Sequence, residues 1–81
     1  MLALPHEVKY ALRVVNNVLR DIRKKREIRL IDLAKSVGVS RQAIHAIESK
    51  KYIPSVELAL RISKFLKLSV EDVFKLPRTK A

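Results

Sequence analysis

No cysteine occurs in the 81 residues, so neither a disulfide framework nor a thiolate metal site staples this chain. Glycine occurs once, proline three times, and aromatic residues make up only 5%. So few breakers and aromatics disfavour a many-stranded sheet and favour helices. No apolar run approaches the roughly 18 residues that cross a bilayer. The N-terminus also lacks a basic stretch leading into an apolar one, so it does not read as a secretory signal. The expectation is a soluble, cytoplasmic chain. Acidic residues are scarce: 8 stand against 18 Lys and Arg, for a formal charge of +10. On one small domain that balance is the electrostatic footprint of a polyanion binder.

Catalysis finds no footing. His6 and His45 lie on different segments with no carboxylate cluster beside them, and Glu71 and Asp72 are neighbours that point apart on a helix. There is no phosphate-cradling glycine loop and no metal-ligand spacing, so no cofactor and no metal are expected.

What is present is helical periodicity. Residues 1–16 form an N-terminal extension with two standing readings. Val8, Tyr10, Leu12 and Val14 alternate as in a half-buried strand. Equally, Val8, Ala11, Leu12 and Val15 continue into Val18, Leu19 and Ile22 as one helical stripe. The strand reading requires a second chain to pair with, which makes this stretch a candidate dimerisation element. Asn16 or Asn17 is expected to cap a first helix running to about Arg26. Its last turn, Arg23 to Arg26, carries four positive charges where the macrodipole favours them.

Leu30 to Val37 is the second helix, with Leu33, Ala34, Val37 and either Leu30 or Ile31 inward. Gly38 sits where a helix needs a left-handed residue after its end. Ser40 caps a third helix, Arg41 to about Glu48, whose Ile44 and Ile47 point inward. Ser49 to Pro54 is a basic loop. Ser55 caps a fourth helix, so rich in apolar positions that burial around much of its circumference is expected. Ser69 with Asp72 approaches a capping box for a fifth, in which Val70, Val73, Phe74 and Leu76 close the core before Pro77. With the core claiming the bulky apolar residues, a membrane-surface role is not expected.

A small residue at Ala34, a tight turn at Gly38 and an exposed third helix are the requirements of a helix-turn-helix. GVSRQAIHAIE, a basic loop with a proline, and then SVELALRISKFLKLSVEDVF resemble the phage-repressor/Cro-like helix-turn-helix family, the xenobiotic-response-element type. The resemblance spans about Asn17 to Leu76. It implies an all-α, compact five-helix bundle over residues 17–76, with a basic tail at 77–81. It also implies a transcriptional regulator of the repressor kind, usually a homodimer on double-stranded DNA. The alternative within the resemblance is an antitoxin or adaptor whose main partner is protein.

Carried over by position, the resemblance turns Ser40, Arg41, Gln42 and Ala46 toward the major groove, with His45 reaching a base or a phosphate. Arg pairs with guanine O6 and N7, and Gln with adenine N6 and N7. Ser49, Lys50, Lys51 and Tyr52 match the family's phosphate-contacting loop, through backbone N–H groups and lysine charge. Arg23 and Glu48 match a structural salt bridge. Two departures stand out. Arg29 and Leu30 replace a Ser/Thr cap and a phosphate-binding Gln, leaving Arg29 as the substitute phosphate contact. Glu27 stands where the family favours Gly.

Overall fold

A computed structural model of the chain describes residues 15–76. The strand-or-helix question over Glu7–Val14 lies outside them. In chain order the elements are β1 (Asn16–Asn17), α1 (Leu19–Lys25), α2 (Leu30–Val37), α3 (Arg41–Glu48), α4 (Val56–Leu66), α5 (Val70–Val73) and β2 (Phe74–Lys75). The five helices follow the expected order, and a two-residue ribbon joins the ends. β1 and β2 are antiparallel, Asn16 opposite Lys75 and Asn17 opposite Phe74.

The helix starts follow local chemistry. The hydroxyls of Ser40, Ser55 and Ser69 each accept the backbone N–H three residues on, from Ala43, Leu58 and Asp72, at 3.1 Å. At Ser69 the box is reciprocal: the Asp72 carboxylate accepts the Ser69 N–H. That bonding, chiefly from Ser69, holds the Asp72 carboxyl below its usual range. Gly38 closes α2 at φ +80°, with its own N–H and that of Val39 both donating to the Ala34 carbonyl.

α1 starts differently from expectation. Asn16 is spent in the ribbon, and Val18 occupies the capping position without a side-chain bond. Asn17 does two jobs from just outside: its Oδ1 accepts the Leu19 N–H at 3.2 Å, and its Nδ2 donates to the Ile47 carbonyl at 2.9 Å. The first helix is thereby tied to the last turn of the third.

Glu27, in the turn between α1 and α2, adopts φ 57°, and Lys50 and Lys67 are also left-handed. A side chain at such a φ costs roughly 1–2 kcal/mol. Glu27→Gly is therefore expected to raise stability by about 0.5–1 kcal/mol after the entropy a glycine loses on folding. Urea denaturation of the two chains measures it.

The core gathers Leu19, Leu33, Ala34, Val37, Ile44, Ile47, Ile62, Leu66 and Val73, with Ile22, Leu30 and Phe74 packed against it. Leu30 rather than Ile31 is thus the inward residue at the start of α2. Two expectations are corrected. The fifth helix stops at Val73, because Phe74 turns to an extended backbone and pairs with Asn17; Leu76, 78% exposed, closes nothing. α4 is not buried around most of its girth. Leu58, Ala59, Ile62, Ser63 and Leu66 take the inner face, and the helical period throws Val56 (77% exposed) and Leu60 (54%) outward. The bulky apolar residues are therefore not all claimed by the core. On the inner face of α4 the buried Ser63 hydroxyl has no hydrogen-bond partner among the described residues.

Candidate nucleic-acid interface

α3 is held on two sides and open on the rest. Ile44 and Ile47 are fully buried against α2 and the core, and Ala34 at the crossing lets the helices approach. That fixes the rotation of α3. Arg41, Gln42 and His45 must then face outward, and all three are exposed, while Ala46 is half-buried. Ser40 sits at the helix start, its oxygen engaged in the cap. With Leu30, the three exposed side chains line a concavity of about 270 Å³. Three of the five expected base-contacting residues, Arg41, Gln42 and His45, thus share one face of the helix, with Ser40 capping its start. Ala46 lies at its edge.

The expected phosphate contacts are less uniform. Ser49, Lys50, Lys51 and Tyr52 are all exposed. However, the N–H groups of Ser49, Lys50 and Lys51 donate to the His45, Ile47 and Ala46 carbonyls at 2.9–3.0 Å. They finish α3, so phosphate contact through those backbone donors is not open to the loop. The side chains remain. Arg29 is exposed, yet its guanidinium grips Asp32 at 2.8 and 3.2 Å, one turn into α2. This bond holds the Asp32 carboxyl below its usual range and raises the Arg29 guanidinium. A phosphate contact by Arg29 would have to displace that carboxylate.

Arg23 and Glu48 meet side by side. Nε donates to Oε2 at 2.7 Å and Nη2 to Oε1 at 3.1 Å, while Nη1 donates to the Ile28 carbonyl at 3.0 Å. The Glu48 side chain is only 4% exposed. Its hydrogen bonds raise the Arg23 pKa further. The four-residue basic run at the end of α1 therefore divides: Arg23 clamps α3, Arg26 donates to the Leu66 carbonyl at 2.6 Å, and Lys24 and Lys25 are exposed.

A second concavity, about 210 Å³, opens on the other side of His45. Arg20, Arg23, Lys24, His45, Glu48 and Ser49 line it. Arg20 was not among the residues expected at the site. The signal for it was its spacing: Arg20 and Lys24 are four apart, on one face of α1. Among the described residues no group of His, Asp or Glu is placed to hold a metal ion, and no helix is long and apolar enough to cross a membrane.

Comparison with known proteins bears on this face. The sequence model of a family described as helix-turn-helix matches residues 19–73, which run from the start of α1 to the end of α5. An uncharacterized HTH-type transcriptional regulator of Methanocaldococcus jannaschii is 47% identical over 60 residues, covering 74% of this chain and 91% of that protein. The Bacillus subtilis protein named uncharacterized HTH-type transcriptional regulator YgzD is 39% identical over the same shares. A further HTH-type regulator, from Methanothermobacter thermautotrophicus, is 40% identical over 61 residues, 74% of this chain and 88% of its own.

Proposed function

The chain belongs to the helix-turn-helix family of DNA-binding transcriptional regulators rather than to any enzyme class, and on that premise we propose that it reads specific double-stranded DNA sites with α3 in the major groove, as a cytoplasmic homodimer. The observation that carries this is the locked rotation of α3. Ile44 and Ile47 anchor one face, so Arg41, Gln42 and His45 are presented together on the other. Arg41 pairs with guanine and Gln42 with adenine; the Ala46 methyl meets a thymine methyl. Ser40 and His45 complete the reading edge. The side chains of Ser49, Lys50, Lys51 and Tyr52, and Arg29 where it leaves Asp32, hold the phosphates and set the register. Residues 17–76 are the DNA-binding unit, with 1–16 as a dimerisation element and 77–81 as a basic tail.

A second copy is favoured by charge. Each chain carries +10, so two copies approach most readily where neither presents charge. Val15, Ile53, Val56, Leu60, Val70 and Phe74 line an apolar groove of about 160 Å³ with no charged residue in its wall. The same groove supports the second reading, an antitoxin or adaptor that uses it for a different protein.

Selection of duplexes from a random pool, followed by binding curves for Arg41→Ala and Gln42→Ala, tests the reading. Each substitution is expected to cost about 1–3 kcal/mol at one base position and to relax the preference there. Equal affinity of the wild type for all duplexes overturns sequence-specific recognition.

A further inference from the structure

We propose that Arg20 and Lys24 of α1, with His45 and Ser49 of α3 and its end, form a separate subsite for a DNA backbone phosphate. The proposal deepens the DNA-binding reading and rests on it. The site is the 210 Å³ concavity between α1 and the C-terminal half of α3. Six residues line it, and two of them cancel. Both Glu48 carboxylate oxygens accept from Arg23, whose third nitrogen is taken by the Ile28 carbonyl. The acid is thus neutralised in place and does not repel an anion. Arg23 in turn is not free to leave.

What remains is positive and accessible. Arg20 and Lys24 are one turn apart on α1, both exposed, and among the described residues neither is in a salt bridge. His45 links this concavity to the one lined by Arg41 and Gln42, so an anion seated here is contiguous with the base-reading edge. The surrounding groups fix the geometry. α1 is tied to α3 by the Arg23–Glu48 pair and by the Asn17–Ile47 bond, so Arg20 and Lys24 keep their position relative to the recognition helix. The chemical class that fits is a phosphodiester: a single anionic group taking one arginine, one lysine and a hydroxyl, with no base identity involved.

The test compares the salt dependence of duplex binding for the full chain, Arg20→Gln/Lys24→Gln, and Lys64→Gln/Lys75→Gln, which removes the same charge elsewhere. Every phosphate that the protein no longer neutralises lowers the slope of log K against log salt by about 0.9. The first double variant is expected to fall by about 0.9 of slope for each chain bound to the duplex, with its ranking of duplex sequences unchanged. The second is expected to keep the wild-type slope. Glutamine is a good helix former, and a matching thermal melt confirms that the first variant folds. An unchanged slope in Arg20→Gln/Lys24→Gln overturns the subsite, and so does an equal fall in both variants, which reports net charge rather than a site. Wild-type binding that depends on salt but prefers no sequence overturns the specific-recognition reading while leaving the subsite to be decided by the variants. No wild-type binding at any salt overturns both.

Discussion

Arg23→Ala is expected to destabilise the domain by about 3 kcal/mol, the low end for breaking a buried ion pair, because a concavity admits water on one side. The loss has two parts. The Glu48 carboxylate, nearly inaccessible, is left without either of its donors, and the Ile28 carbonyl loses the bond that fixes the turn leading into α2. Small domains hold only about 5–15 kcal/mol in total, so this loss lowers Tm by about 10–20 °C. Thermal and urea unfolding followed by circular dichroism measure it. Arg23→Met combined with Glu48→Leu removes both charges and is expected to recover the part of the loss that lies in the orphaned charge, leaving only the missing Ile28 carbonyl bond. A single variant within about 0.5 kcal/mol of the wild type would show the pair to be ordinary surface electrostatics, roughly neutral in effect.

Leu60→Glu is expected to have the largest effect on binding. Leu60 contributes nothing to the core, so the fold tolerates the change. It places a charge in a groove whose wall has none. If that groove joins two copies, the variant sediments as a monomer where the wild type sediments as a dimer. Affinity for a duplex with two half-sites then falls about 10²- to 10⁴-fold, the gain that linking two modules brings. Affinity for a single half-site changes little. A wild type that is monomeric both free and on DNA refutes the homodimer, and turns attention to a different protein as the occupant of the groove.

Much of the fold was legible because its signals are local. Ser40, Ser55 and Ser69 stand three residues before the N–H groups they accept, and Gly38 is the only residue that takes φ +80° without strain. Each is decided within one turn of chain. The β ribbon was not legible for the opposite reason. Two residues per strand make no periodicity, and the partners come from opposite ends of the described chain. The end of α5 is hidden with it, since Phe74 leaves the helix to pair with Asn17. α4 departs from its expected burial because a count of apolar residues does not say which way they face. At the site, Arg41, Gln42 and His45 follow from the period of α3 once Ile44 and Ile47 are assigned inward. Arg20 was harder: only the packing of α1 against α3 brings it beside His45.

The β1–β2 ribbon also orders the events of folding. α2, the turn at Gly38 and α3 are consecutive, so their contacts close short loops and cost little chain entropy. The ribbon joins Asn16 to Lys75 and requires nearly the whole described chain to be in place first. Its few hydrogen bonds repay that closure only after the helices have packed. It is thus the last element to form and the first to open, and its amides should exchange with solvent well before those of α3 and α4. Asn17 belongs to this late-forming ribbon by its backbone, while its side-chain amide bonds the start of α1 and the last turn of the recognition helix.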